Sequence, residues 1–327
     1  MELLTPLILF FVSALIIVIA AIALVKGADT IASAGNLGRL WVGSLLLAGA
    51  TSLPEMITNI SAIRIGSPGM AAGNVFGANM LNMLVLATFA GFIGGKEVYQ
   101  KFSRQQILVG FFAIFMTTLA LTLTFAKIPG KFLIAPPASL ILIGSFLAGT
   151  KYLSKFSNTG TEDESTTTTH SLRWGWIVFT ISALLIFGAG PLLASSAQEI
   201  AKISGISESF IGVLAVAIVT TLPEMTAAAT AIRLGAHDLA AAGMYGSNAF
   251  NIAILGIADL FSPGDSLFLS LDNSHLVAAL SACALMAIGI FQIHRAKPVR
   301  TPAVLDLGVS SVMVVYLVGL FIVFQMA

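Results

Sequence analysis

The sequence is short of charged residues and has a single cysteine, and both shortages limit what the protein can be. Only 9% of its 327 residues are Asp, Glu, Lys or Arg, whereas 57% are hydrophobic; soluble domains carry about 25% charged residues. The formal net charge is +1 and no basic patch stands out, so nucleic acid is not an expected partner. Cys283 alone allows neither a disulfide framework nor a thiolate metal site. We therefore expect an all-α integral membrane protein, surrounded by the lipid bilayer.

Ten segments are long and apolar enough to cross a membrane, since a spanning helix needs about 20 apolar residues. They are 6–26, 40–63, 70–93, 105–126, 132–153, 174–194, 209–232, 239–261, 275–294 and 303–325. The first lacks a positive n-region, which favours a membrane helix over a cleaved signal peptide. The hydrophilic stretch Ser154–Arg173 combines acidic residues with a threonine run and is interpreted as a flexible linker.

The two halves of the chain are related by an internal duplication. A shift of 169 residues places Thr51–Asn82 on Thr220–Asn251 with 14 identities in 32 positions, among them both Pro-Glu pairs. Five helices per half is an odd number, so the halves would enter the membrane in opposite orientations. We therefore predict two inverted-topology five-helix repeats, 1–153 and 174–327, joined by the linker 154–173.

Lysine and arginine positions predict how these repeats are oriented, because both residues favour the cytoplasmic side. Twelve of the sixteen fall on one side of the ten-helix arrangement and four on the other. The prediction is a multi-pass protein of the inner (cytoplasmic) membrane, with both termini outside and the linker in the cytoplasm. A monomer is expected, with oligomerisation left open.

Glu55 and Glu224 are the acidic residues that these limits place well inside the bilayer. A carboxylate at the centre of a membrane helix costs about 2.5–3.5 kcal/mol on insertion scales, so its presence indicates a functional site. Equivalent points of an inverted pair can converge at the midplane, where two carboxylates with other oxygens would form a hard-cation site. The alternative is a pair of buried acids bonded to helix backbone, or an acid at a misplaced helix end.

Polar residues directly before each glutamate extend this candidate site. Proline cannot donate the helical hydrogen bond, so we expect the helices to be interrupted before Pro54 and Pro223, which frees carbonyls one turn earlier. The carbonyls expected to turn toward the site are those of Ala48, Thr51, Ala217 and Thr220. The hydroxyls of Thr51, Ser52, Thr220 and Thr221 could bind a cation or bond back to their own helix.

The segments Gly77–Asn82 and Gly246–Asn251 form the second element of the duplicated stretch. Each carries two asparagines three residues apart, Asn79 with Asn82 and Asn248 with Asn251. Their amides could bind the cation or bond across a helix interface. Both glycines are expected to let another helix approach. Asp259 and Asp265 border a loop, and we expect both to be solvated.

TSLPEM and TTLPEM, followed by GANMLN and GSNAFN in a duplicated ten-span chain, resemble the cation/calcium exchanger superfamily, in particular its prokaryotic sodium/calcium exchanger branch. The resemblance implies that Glu55 and Glu224 bind calcium. It also implies two long tilted helices, here spans 1 and 6, that slide across the core. The remaining implied ligands are carbonyls of Thr51, Thr220, Ala48 and Ala217, Asn82 and Asn251 at the middle site, and Ser52, Thr221 and Ser247 for sodium.

Two departures from the family pattern leave the coupling ion open. Ala78 stands where family members often have serine, and Asn251 stands where the second motif can end in aspartate. We therefore expect an antiporter that exchanges Ca²⁺ for Na⁺ without a cofactor, and proton-coupled exchange of calcium or another divalent cation is the alternative. A channel would need no counter-ion. A membrane enzyme is disfavoured because the sequence shows neither a nucleophile–base pair nor an HExxH motif.

Overall fold

The computed structural model describes residues 2–34, 49–92, 98–130, 135–155, 171–295 and 307–326, and its regular elements are helices. The longer ones are α1 Leu4–Ala34, α2 Leu53–Arg64, α3 Pro68–Phe92, α4 Gln105–Ala126, α5 Pro137–Leu153, α6 Leu172–Ser204, α7 Glu208–Arg233, α8 His237–Asp259, α9 Asn273–Arg295 and α10 Leu307–Met326. Short 3₁₀ turns lie at Val98–Gln100 and Leu267–Leu269. Inside α7, the five residues Gly212–Val216 are π-helical.

Seven of these helices, α1, α3, α4, α6, α7, α9 and α10, are long and apolar enough to cross a membrane. The expectation of an all-α membrane protein is thus confirmed. Helix α5 is apolar but has 17 residues, and the segment before α2 falls in 35–48, outside the described residues. The same holds for 156–170, which includes most of the predicted linker.

Helices α1 and α6 run well past their predicted ends at residues 26 and 194. They continue to Ala34 and Ser204 because the polar segments that follow the apolar runs stay helical. The two helices pack side by side, and an added Cβ at Gly27 would lie 2.8 Å from the backbone nitrogen of Phe179. Such close backbone contact is typical of small residues in membrane helices.

Helix α3 lies at the centre of the protein, and every residue from Met70 to Met83 is buried. It packs against α7 backbone to backbone: an added Cβ at Gly77 would overlap the carbonyl oxygen of Val213 and lie 2.6 Å from its Cα. The close approach predicted at Gly77 is therefore confirmed. The matching contact of Gly246 would fall at residue 44, outside the described residues.

The predicted solvation of Asp259 is wrong. This side chain is 1% exposed, and it accepts hydrogen bonds from Ser139 Oγ (2.6 Å), Ser266 Oγ (2.8 Å) and the Leu267 backbone nitrogen (2.6 Å). The loop after α8 folds back over the helix end, and the first turn of α5 brings Ser139 to it. Hydropathy alone could not distinguish this arrangement from a solvated helix end. Asp265, in the same loop, is exposed as predicted.

Candidate functional site

The first glutamate lies where a helix begins. The backbone turns at Ser52 and α2 starts at Leu53, so Glu55 occupies its first turn, together with Pro54. The unpaired N–H groups and the dipole of a helix N-terminus favour a negative charge there. Pro54 supplies no N–H, so it has none to donate to the carbonyl of Ala50. Ala48 lies outside the described residues.

The second glutamate lies inside a helix that continues through its proline. Helix α7 is α-helical from Ala217 to Arg233, so the interruption expected before Pro223 is absent there. The irregular backbone instead lies two to three turns before Pro223, in the π-helical turn. Pro223 has no N–H to donate to the carbonyl of Val219. The roles of the Thr51, Ala217 and Thr220 carbonyls stay predictions.

The structure brings the two carboxylates together. Glu55 is 1% and Glu224 6% exposed, and their charges are close enough to repel each other directly. Ser52, three residues before Glu55, donates its hydroxyl proton across to Glu224 Oε1 over 3.2 Å. The half-buried Ser247 of α8 donates to the same oxygen over 3.5 Å. Each glutamate therefore has neighbours from the other half of the chain.

Four asparagines form a reciprocal set of amide hydrogen bonds between α3 and α8. Asn82 Nδ2 donates to Asn248 Oδ1 and Asn251 Nδ2 donates to Asn79 Oδ1, each over 3.0 Å. Asn79 Nδ2 donates to the Asn248 carbonyl (3.1 Å), and Asn248 Nδ2 donates to the Asn79 carbonyl (3.3 Å). Each bond has a counterpart between the two residues that the 169-residue shift makes equivalent. We call these four side chains the amide ring. They join the helices, as the packing alternative predicted.

Six buried oxygens at this site have no hydrogen-bond partner within the described part of the chain. They are Glu55 Oε1 and Oε2, Glu224 Oε2, Asn82 Oδ1, Asn251 Oδ1 and Thr221 Oγ1. Buried polar atoms are normally paired, and an unpaired one costs about 1–3 kcal/mol. Five of the six belong to carboxylate or amide groups and can only accept. Such a set is suited to a positive ion.

Among the described residues, no positively charged side chain compensates the two carboxylates. Across the described ranges the ion contact that forms is between His275 and Asp272, and no lysine or arginine there pairs with either glutamate. Nor do those ranges contain a group of three His, Cys, Asp or Glu residues that could hold a metal. A cation here would depend on two carboxylates together with neutral amide and hydroxyl oxygens.

Sequence reasoning missed two buried asparagines beside this site. The Thr220 hydroxyl donates to Asn74 Oδ1 over 3.1 Å, and Asn74 Nδ2 donates to Asn59 Oδ1 over 2.8 Å. All three side chains are 0% exposed. Asn59 lies one turn after Glu55 on the same helix face, and this spacing could have identified it from the sequence. The search for repeated residues passed over both asparagines because Ala228 and Gly243 occupy the equivalent positions.

Comparison with known proteins matches both halves of the chain to one family. The sequence model of a family described as sodium/calcium exchanger protein matches residues 5–153 and 174–327. The chain is 28% identical over 288 residues to the putative antiporter CaxA of Alkalimonas amylolytica, covering 84% of this chain and 88% of the relative. It is 26% identical over 297 residues to the sodium/calcium exchanger MaX1 of Methanosarcina acetivorans, covering 77% and 84%.

The fold also matches that of a solved structure. A crystal structure of the H⁺/Ca²⁺ exchanger CAX superposes with a TM-score of 0.72 at 16% sequence identity, covering 98% of this chain and 85% of the other. At this identity the likeness shows the fold alone.

Proposed function

Since the chain belongs to the sodium/calcium exchanger family, whose members are transporters and not enzymes, we propose that it is a secondary-active antiporter exchanging calcium for sodium. The observation that carries this proposal is the set of six unpartnered oxygens around Glu55 and Glu224. Calcium takes six to eight oxygen ligands and prefers carboxylates and carbonyls. The site offers carboxylate, amide and hydroxyl oxygens, and without an ion these six oxygens have no hydrogen-bond partner among the described residues.

The same burial explains why transport would be exchange and not leak. When calcium leaves, the two carboxylates would remain close together and away from water, which is costly for uncompensated charge. Two positive charges must therefore replace the ion before the empty site can cross to the other side. Sodium ions or protons can do this, and the competition for the same carboxylates couples their movement to that of calcium.

The proposed ligand set follows the contacts around the two carboxylates. Glu55 and Glu224 hold calcium, and Asn82 and Asn251 contribute the Oδ1 atoms that the amide ring leaves free. Sodium binds at the hydroxyls that reach Glu224 or lie beside it. The complete proposed set is Glu55, Glu224, Thr51, Thr220, Ser52, Thr221, Asn82, Asn251, Ser247, Ala48 and Ala217.

We further propose ten membrane helices arranged as inverted repeats, 1–153 and 174–327, with 154–173 as a cytoplasmic linker and both termini outside. The amide ring supports this arrangement, because a two-fold axis that exchanges residues 169 apart maps its bonds onto one another. The long paired helices α1 and α6 pack against the core through a small apolar cluster that includes Leu24, Ile57 and Ile186. In the proposed cycle this pair slides and exposes the site to each side of the cytoplasmic membrane in turn.

Proton coupling is the alternative, and one observation favours it. Ala78 is 0% exposed and lies in α3 next to Asn79, so the hydroxyl that serine would bring to this buried position is missing. Two close carboxylates can share a proton, because like charges disfavour ionising both. The same ligands would then serve calcium in one half of the cycle and protons in the other.

Calcium-45 uptake into proteoliposomes loaded with sodium, with the pH gradient clamped, tests the proposal. We expect uptake that requires internal sodium and stops when choline replaces it. Uptake that ignores sodium and follows an imposed proton gradient would establish the alternative. Glu55→Gln and Glu224→Gln should each abolish uptake while the purified protein stays monodisperse. Wild-type uptake in both variants would refute the site.

A further inference from the structure

A buried polar chain connects the two glutamate helices. It runs from Thr220 on α7 through Asn74 on α3 to Asn59 on α2. Residues 169 positions away are Thr51, Gly243 and Ala228, and the last two have no polar side chain. The duplication therefore repeats the glutamates and the amide ring but not this chain. The two halves of the site have different surroundings.

Thr220 behaves differently from other threonines on its own helix. Thr226 and Thr230 each donate to the backbone carbonyl four residues earlier, over 2.8 Å, as threonines in helices commonly do. Thr220 instead donates sideways to Asn74 Oδ1. A hydroxyl has one proton and two lone pairs, so this bond uses the proton and leaves the lone pairs available.

Thr220 lies where the lone pairs of its hydroxyl face the ion site. Its side chain lies within hydrogen-bonding reach of the Glu55 carboxylate. The Thr220 proton points to Asn74 instead, and both Glu55 oxygens have no hydrogen-bond partner among the described residues. Because the Thr220 proton is directed to Asn74, the lone pairs of the Thr220 hydroxyl and the oxygens of the Glu55 carboxylate lie close together as acceptors, with no donor between them. This arrangement suits a cation. Were the proton free to turn, the hydroxyl would donate to Glu55 and oppose cation binding there.

We propose that Asn74 and Asn59 are positioning residues that hold the Thr220 hydroxyl as a cation ligand. Asn74 accepts the proton, and Asn59 fixes the Asn74 amide so that its oxygen, and not its nitrogen, faces Thr220. This inference rests on the proposed function, because it assigns an outer layer to the same ion site.

A double-mutant cycle on calcium affinity tests the proposal. Calcium chloride is titrated calorimetrically into the full-length protein in nanodiscs, for wild type, Asn59→Ala, Thr220→Val and the double variant. Thr220→Val keeps the shape and removes the hydroxyl. We expect Asn59→Ala to weaken calcium binding about threefold to tenfold when Thr220 is present, the range expected from losing one buried hydrogen bond. In the Thr220→Val background it should have almost no effect.

Thr58→Val is the matched control. Thr58 is adjacent to Asn59, is also 0% exposed, and has an unpartnered hydroxyl among the described residues, but it is not part of the chain. Calcium affinity should not change in this variant. If Asn59→Ala does not yield monodisperse protein, Asn59→Ser takes its place, because its side chain is too short to hold the Asn74 amide.

The outcomes separate this inference from the function on which it rests. Wild-type protein that binds no calcium, or binds it unchanged in Glu55→Gln, would refute the ion site itself. Calcium binding that depends on both glutamates, with an equal effect of Asn59→Ala in the wild-type and Thr220→Val backgrounds, would overturn the positioning role alone. An effect confined to the wild-type background would establish it.

Discussion

The close approach of α3 and α7 at Gly77 allows a quantitative prediction for Gly77→Ala. The added Cβ would overlap the Val213 carbonyl oxygen and lie 2.6 Å from Val213 Cα, both backbone atoms that no side-chain rotation can move. The helices would have to separate by roughly 1 Å to restore ordinary contact. Overpacking of this kind typically costs about 1–3 kcal/mol, while the helix propensity of alanine returns about 1 kcal/mol.

The same displacement would reach the ion site, because α3 also carries half of the amide ring. The bonds between Asn79 and Asn248 are already 3.1 and 3.3 Å long, and an increase of about 1 Å would take them beyond hydrogen-bonding distance. Each broken bond costs roughly 1 kcal/mol. We therefore expect a net loss of about 2–4 kcal/mol, which corresponds to a Tm about 3–6 °C lower for a chain of 327 residues, and calcium binding at least tenfold weaker.

The assay is thermal unfolding of detergent-purified protein with and without calcium, followed by size-exclusion chromatography. Gly144→Ala serves as the control, because Gly144 lies exposed inside helix α5 and an added Cβ there meets no atom within 4 Å. This variant should be as stable as wild type or slightly more stable. A Gly77→Ala protein with the same Tm and calcium affinity as Gly144→Ala would refute the close packing of α3 on α7.

Three further changes have defined outcomes. Ser52→Ala removes one of two donors to Glu224 Oε1, and we expect half-saturating sodium in the uptake assay to rise about fivefold; an unchanged value would remove Ser52 from the sodium site. Ala78→Ser adds a hydroxyl to a buried position and should strengthen sodium dependence, whereas no change would assign position 78 to packing. Asp272, 58% exposed, lies 2.9 Å from His275 Nδ1, and the hydrogen bond between the two side chains holds the pKa of the Asp272 carboxyl below its usual range. Its contribution is complete above the unfolded-state pKa near 4 and disappears as the pH falls through the lower native value. Asp272→Asn should thus lower the Tm at pH 7 by up to about 1.5 °C, the size expected of an exposed pair, with a smaller difference as the pH falls below about 4; an equal difference at both pH values would contradict the carboxylate's role.

The sequence predicted the centre of the candidate site better than its surroundings. Glu55 and Glu224 stood out because charge is rare in apolar segments, and the duplication drew attention to the residues that became the amide ring. Asn59 and Asn74 escaped because the argument relied on repetition and these residues occur once. Contacts between distant segments, such as Ser139 with Asp259, leave no periodic signal in a single sequence.

The ends of the helices were also predicted poorly, for a physical reason. Hydropathy reports where a chain is apolar, whereas a helix continues as long as its backbone bonds and neighbours favour it. Helices α1 and α6 therefore extend past Lys26 and past residue 194 into polar sequence. At Pro54 the prediction of a disturbed helix was right, while at Pro223 helix α7 continues without a break.

The reciprocal amide ring has a consequence for how the protein is made. Helix α3 is synthesised and inserted well before α8 exists, so Asn79 and Asn82 must first enter the membrane without their partners. An unpaired amide in lipid is unfavourable, by about 0.6–2 kcal/mol for each interhelical bond not yet formed. The first half of the chain is therefore left with unmet hydrogen bonds until the second half arrives. Assembly that begins with α3 is completed only after α8 has been inserted.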